Sequence, residues 1–336
     1  MGLDEKKIIF IKWFSGPPKT GGEEVFINFY QATKTKYRVF LIDSSPFKIG
    51  REKRLLYFLF VKPIEIFVRN RLSIRFVKQG YEVYSWSHAG TIEIIQPPPS
   101  HTKIQRIFGA YYRFFDRLSR FGSDNLKIVI YVSQFTMNNY KIRKKDIIEF
   151  VVHPGIEFSA NSVSFDEKEN IIVTVSRIVP EKNLERLCRI LENIGHQHFL
   201  IGFSFDDKYV KKLVKLLPKT NFIINATQEK KISVLKKAKV FLMTSEGEAF
   251  PLVLLESLAY GVAPVVPRSG GPTEYLEDSF LYDTDKEAEE KVLNLMRNYN
   301  SEMFRKLTAK YKENFTMEKF QKNILMCLDK SFNMYK

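Results

Sequence analysis

Ser245-Glu246-Gly247-Glu248-Ala249-Phe250-Pro251-Leu252-Val253-Leu254-Leu255-Glu256 joins a strand ending at Met243 to a helix running to Tyr260. Gly261 closes the helix as a C-terminal glycine, and Ala263 to Val266 reads as the next strand. The connecting loop holds two carboxylates. Pro251 falls at the first helical position, which tolerates its missing N–H. The backbone N–H groups from Leu252 onward are then free, and a helix N-terminus with free donors is an anion site.

On either side of this stretch the second half alternates cleanly. Strand Ile171 to Val175 precedes helix Leu184 to Asn193, and strand His198 to Ile201 precedes helix Asp207 to Leu217. Strand Phe222 to Ile224 precedes helix Lys230 to Lys237, and strand Val240 to Met243 leads into the quoted loop. This order predicts a doubly wound parallel sheet, which binds ligands at the carboxyl ends of its strands. Thr316 to Phe332 reads as a long final helix.

The first half is α/β as well. Ile8 to Phe14 is β-rich, Ser15 to Gly22 is a turn-rich loop, and Glu23 to Thr33 is helix-like, with Val25, Phe26, Phe29 and Ala32 on one face. Tyr37 to Ile42 completes a βαβ unit. Short strands follow at Glu82 to Ser85, Ile92 to Ile95, Ile128 to Ser133 and Phe150 to Val152. His153-Pro154-Gly155 breaks the pattern and residues 159–169 are polar, so the domain boundary is placed there. The expected organisation is a domain over 1–158, a second over 159–315 and a terminal helix over 316–336.

Length and charge set further bounds. A chain of 336 residues suits two domains. Its net charge of +15 is uneven: residues 1–157 hold 26 Lys and Arg against 14 Asp and Glu, the remainder 27 against 24. A one-sided basic field calls for an anionic partner. Segments 48–78 and 103–120 are dense in basic and aromatic residues. They read either as a face lying on an anionic membrane or as a solvated basic face over a core. No DNA- or RNA-binding motif is present, which argues against nucleic acid. No run approaches the roughly 18 apolar residues of a membrane span, and the N-terminus lacks a signal-peptide cleavage site. A cytoplasmic protein is expected, peripheral on the membrane face if the basic segments dock there. Cys188 and Cys327 are read as buried free thiols. No Cys, His and Asp cluster has metal-ligand spacing, so no metal or other cofactor is expected.

The chemistry concentrates in two places. The helix after Pro251 is nearly all apolar and reads as buried, yet carries Glu256. A buried carboxylate needs a partner. A ribose diol supplies one and a nearby Arg or Lys another; both readings are open. Glu248 is placed either to meet the hydroxyls of a sugar or as a solvated loop acid. Upstream, Val175-Ser176-Arg177-Ile178-Val179-Pro180-Glu181-Lys182-Asn183 puts two cations at the carboxyl end of a strand. There they are suited to stabilise a leaving diphosphate without a metal ion.

Together these segments resemble glycosyltransferase family 4, retaining enzymes of the GT-B fold. The hallmark Glu-x7-Glu is matched by Glu248 and Glu256, with Phe250 between them and Gly261 and Pro264-Val265-Val266 after them. Arg177 to Asn183 is similar to the family's Arg-Leu-x-x-x-Lys-Gly element, with Asn183 in place of glycine. Gly270-Gly271-Pro272-Thr273-Glu274 matches a Gly-Gly-x-x-Glu segment, and Gly202 a glycine that approaches the nucleotide. Asn314-Phe315-Thr316-Met317 resembles the entry to the last helix, which crosses back to the first domain. Gly21-Gly22-Glu23 resembles the glycine loop facing the donor phosphate. The resemblance is strong over about 171–330 and thin over 1–158.

The resemblance implies two Rossmann-like domains facing a cleft, and transfer from a UDP- or GDP-sugar to a glycan hydroxyl, including one carried on a lipid. Arg177 and Lys182 would neutralise the diphosphate, Glu248 would hold the sugar and Glu256 the ribose. The backbone of Ala249, Phe250, Pro251, Leu252 and Val253 would meet sugar and diphosphate. Gly22, Gly202 and, less directly, Gly21 and Glu274 would line the donor side. Two positions depart from the pattern. Pro251 stands where the family has a small residue. Gln96 stands where a histidine is expected, with His101 near but out of register. A catalytically silent binding or regulatory subunit of the same fold is the alternative that these departures sustain. By register Glu246 carries no role.

Overall fold

A parallel sheet must be covered on both faces, and alternation along its strands decides what covers each. The computed structural model describes residues 4–12, 21–43, 62–84, 92–95, 125–140, 146–157, 163–204 and 206–334. By their internal contacts these fall into two units, Met1–Pro154 with Glu318–Lys336, and Gly155–Met317.

The first unit has six strands: β1 (Asp4–Lys12), β2 (Tyr37–Asp43), β3 (Glu82–Tyr84), β4 (Ile92–Ile95), β5 (Ile128–Tyr131) and β6 (Ile148–Val151). They pair in parallel in the order β2-β1-β3-β4-β5-β6. Phe10 of β1 faces helix Gly21–Lys34, with ring centroids 5.6 Å from Phe26, 5.2 Å from Phe29 and 4.9 Å from Tyr84. Ile9 and Ile11 face the other way, onto Val83 and onto Leu72, Phe76 and Val77 of helix Lys62–Lys78. The final helix, Met317–Met334, belongs mostly to this unit: Asp329 pairs with Lys36 at 2.5 Å, and the Phe332 and Tyr37 rings lie 5.5 Å apart.

The second unit also has six strands: β7 (Glu169–Val175), β8 (Gln197–Gly202), β9 (Thr220–Ile224), β10 (Ala238–Leu242), β11 (Ala263–Pro267) and β12 (Leu281–Tyr282). All are parallel, in the order β12-β11-β10-β7-β8-β9. The chain runs outward from β7 to β9, then returns to the other side of β7 with β10 and runs outward again. The strand order therefore reverses between β7 and β10, the switch point at which open α/β sheets bind ligands. Leu254, Leu255 and Leu258 of helix Leu252–Ala259 are fully buried. Each contributes about 1.5–3 kcal/mol relative to exposure.

A polar ladder crosses this sheet. The Thr174 hydroxyl donates to Leu242 O at 2.8 Å, so it accepts from His198 Nε2 at 3.1 Å. His198 Nδ1 then accepts from the Thr220 hydroxyl at 2.9 Å. Burial pushes the imidazole down to about 3, so it is neutral.

Four expectations change. The crossing between units comes at Pro154 and Gly155 rather than after 158. Ile156 is already tied to the second unit: its N–H donates to Phe315 O at 3.1 Å and its O accepts from Met317 N–H. The expected helix Leu184–Asn193 is a 3-10 turn, Pro180–Lys182, and a short helix, Arg186–Ile190. Helices Asp285–Asn298 and Ser301–Asn314, unassigned from the sequence, are present. Their caps carry the signal: Thr284 accepts from Glu287 N–H, and Asn300 from the N–H groups of Glu302 and Met303. Finally, Cys188 and Cys327 are free but half-buried.

Candidate functional site

Two loops leave the sheet at the switch point, one after β7 and one after β10. The first keeps the β7–β8 pairing going past the strand: Ser176 N–H donates to Ile201 O and Ile178 N–H to Phe203 O, at 3.0 and 2.9 Å. Arg177 lies between them, half-buried. The 3-10 turn then ends at Asn183, whose φ of 52° and ψ of 40° are left-handed. Asparagine tolerates that conformation better than most residues, which is why it can stand in the place of glycine.

The second loop is fixed from several sides. The Thr244 hydroxyl donates to Lys182 O at 3.0 Å, which ties the two loops together. Gly247 N–H donates to Ser269 Oγ at 2.9 Å, and Gly271 N–H to Glu248 O at 2.8 Å. Gly270, at φ +79°, lies against Glu248: a Cβ there would stand 2.3 Å from Glu248 O. The glycine pair thus braces the backbone of Glu248, while Glu274 ends the following 3-10 turn in an exposed position.

Lys182 and Glu248 form an ion pair, with side chains 17% and 20% exposed. Glu248 is therefore not a solvated acid. Glu256 is not without a cation either: Lys231 Nζ reaches both of its oxygens, at 2.6 and 2.7 Å. Glu246, assigned no role by register, binds Arg186 Nη1 at 2.7 Å. Arg186 also bonds Asp285, which holds Arg189 at 2.5 Å. Burial raises the Asp285 carboxyl, but the bonds from Arg186 and Arg189 outweigh it and hold the group below its ordinary value.

The structure refines the placement of several expected residues. Pro251 is the N-cap, not the first helical residue, with φ −75° and ψ 110°. Its carbonyl already accepts Leu254 N–H at 3.0 Å, which narrows the anion-facing donors to those of Leu252 and Val253. The Phe250 ring is core, packed on Tyr275 and Phe315 at 5.1 and 5.9 Å, so only its backbone is placed to meet a ligand. The Leu252 side chain is buried too, while Ala249 and Val253 are half-buried. Gly202 is required by its own neighbour, since a Cβ there would lie 1.9 Å from Ser176 O. Gly21 and Gly22 open helix Gly21–Lys34 rather than lying in a loop. Gln96, His101 and segment 103–120 lie outside the described residues, as does 48–61.

Reading the sequence missed Lys231, Arg186, Asp285, Thr244 and Ser269. Arg186 left little trace, because Glu185 and Arg189 beside it are charged as well. Lys231 left none, because helix Gln228–Lys237 also carries Lys230, Lys236 and Lys237.

The second unit is matched nearly end to end by the family model "Glycosyl transferases group 1", over residues 155–315. Among curated proteins, the chain is 24% identical over 203 residues to the probable sucrose-phosphate synthase of Thermosipho melanesiensis. That alignment covers 54% of this chain and 47% of that protein, so the chain spans about half the length of this relative. Among solved structures, sucrose-phosphate synthase from Thermosynechococcus elongatus superposes with a TM-score of 0.73 at 14% identity, covering 98% of this chain and 100% of that one. Anabaena HepE in complex with UDP-glucose superposes with a TM-score of 0.60 at 19% identity, covering 96% and 99%. At such identities the likeness shows the fold, and the fold is GT-B, built of two Rossmann-like α/β units.

Proposed function

We propose that the protein is a retaining, metal-independent glycosyltransferase. It would move a hexose from a UDP- or GDP-sugar to a hydroxyl of a glycan acceptor, including one carried on a lipid. One observation carries the reading. At the switch point of the second unit, Lys182 and Glu248 meet from opposite loops, beside the free N–H groups of a helix N-terminus. A diphosphate suits the cation and the helix end; sugar hydroxyls suit the carboxylate. HepE, solved in complex with UDP-glucose, supports a nucleotide sugar as the donor.

In this reading the donor diphosphate takes Lys182 from Glu248. Arg177 and Lys182 stabilise the charge that grows on the leaving group, a role that needs no metal. Glu248, released from the lysine, accepts from the hydroxyls of the sugar. Glu256, held by Lys231, accepts from the ribose. The departing phosphate takes the acceptor's proton. The basic segments 48–78 and 103–120 would dock the protein on an anionic membrane.

Release of nucleoside diphosphate from a panel of UDP- and GDP-sugars, with and without EDTA, tests this. Turnover that survives EDTA and is lost in Lys182→Ala and Glu248→Ala is expected. No turnover with any donor, alongside tight binding of a protein partner, would instead make the chain a silent binding subunit.

A further inference from the structure

Arg186 is buried at 9% side-chain exposure, and its surroundings exceed what folding of its short helix requires. Its Nε donates to Asp285, the first residue of helix Asp285–Asn298. Its Cζ lies 5.0 Å from the centroid of Tyr282, close enough for a cation–π contact. The Tyr282 hydroxyl donates to Met243 O, just past the end of β10, at 2.7 Å. The guanidinium is thus fixed to the elements that carry the loop after β10. Its remaining charged partner, Glu246, is 60% exposed and sits two residues before Glu248.

Spacing gives this contact its meaning. Lys182 and Arg186 are four residues apart on the segment after β7. Glu248 and Glu246 are two apart on the loop after β10. The two ion pairs, Lys182 with Glu248 and Arg186 with Glu246, cross the same gap side by side. Only the first must open for a donor. The second can stay closed and keep the loop in register while the first exchanges its partner. A buried guanidinium must be well paired, and here the pairing is rooted in Asp285 and Tyr282 rather than in the loop.

We infer that Arg186 is a positioning residue: anchored by Asp285 and Tyr282, it holds the Glu246 carboxylate and so sets where Glu248 stands. This rests on the nucleotide-sugar reading for its effect on turnover, but not for its effect on the loop. A fixed loop is what a sugar-binding carboxylate needs, since catalysis falls steeply when a contact group is misplaced by about 1 Å.

Hydrogen exchange on the full chain without nucleotide tests the tie itself. In Glu246→Gln and Arg186→Lys, the amides of 246–253 should exchange about tenfold faster, while those of 197–224 stay unchanged. Glu246 is exposed, so Glu246→Gln should melt as the wild type does. Steady-state release of UDP or GDP from nucleotide sugars should then show kcat lower by about tenfold with KM for the donor changed less than threefold. The double variant should be no worse than Arg186→Lys alone. Unchanged exchange over 246–253 in Glu246→Gln would overturn the inference, and so would losses that multiply in the double variant. Faster exchange in a protein that binds neither UDP nor GDP would uphold the tie and overturn the donor reading instead.

Discussion

Replacing Gly270 with alanine isolates the brace behind Glu248. The new Cβ would lie 2.3 Å from Glu248 O and 2.8 Å from Glu248 N, whereas ordinary contact begins at 3.4 Å. Neither neighbour is a flexible side-chain end, so the Glu248 backbone must retreat by roughly 1 Å. Three costs follow. Backbone at φ +79° and ψ −163°, a region reserved almost wholly for glycine, costs alanine about 1–3 kcal/mol. Losing the Gly271 N–H bond to Glu248 O costs about 1 kcal/mol more. Together they amount to about 2–4 kcal/mol, which leaves a domain of ordinary stability folded. For a unit of this size that lowers the melting temperature by about 4–16 °C. Under the proposed function, the 1 Å retreat of Glu248 should cost about 100-fold in turnover.

Gly247→Ala is the matched control. Its φ is +65°, but a Cβ there would meet nothing within 4 Å. It should lose about 1–2 kcal/mol to backbone strain and keep turnover within a few-fold. Calorimetry and donor hydrolysis on the two variants separate the effects. Equal turnover in Gly270→Ala and Gly247→Ala would refute the claim that the glycine pair places Glu248.

Other expected outcomes follow from the same geometry. The folded chain holds His198 neutral down to about pH 3, whereas the unfolded chain takes up a proton near its ordinary 6.5. Its contribution is therefore complete above pH 6.5 and is lost as pH falls towards 3, at up to about 1.4 kcal/mol per pH unit. Urea melts across pH 3–7 should show this slope, and His198→Gln should flatten it. Lys231→Met leaves Glu256 without its cation at 16% exposure. That should cost about 2 kcal/mol, below the range for fully buried pairs because of the partial exposure. The double variant with Glu256→Gln should recover part of the loss in urea melts. Asn183→Gly should be neutral or mildly stabilising by thermal melt, since glycine takes φ 52° without strain.

Much of the second unit was legible because its strands are short apolar runs flanked by turn residues. That alternation alone gave the parallel sheet and the ligand-binding edge. Helices Asp285–Asn298 and Ser301–Asn314 had a signal too, in the caps Thr284 and Asn300, that the reading did not use. At the site, residue types were legible and partners were not. Lys182 and Glu248 are 66 residues apart, and Lys231 and Glu256 are 25 apart. No periodicity links such pairs, because strand order, not sequence spacing, brings them together. A related effect hid Glu246: its register excludes it from the Glu-x7-Glu pattern, and only the fold shows Arg186 beneath it. Gly202 and Gly270 were readable as glycines that matter. The atoms that demand them, Ser176 O and Glu248 O, belong to neighbouring loops.

Calorimetric titration of UDP and GDP into the wild type and Lys182→Met tests most directly whether a donor diphosphate takes Lys182 from Glu248. One nucleotide should bind the wild type at a single site, and at least tenfold more weakly when the ammonium is gone, about 1.4 kcal/mol or more. Equal affinity in the two proteins, or no binding of either nucleotide to the wild type, would contradict it.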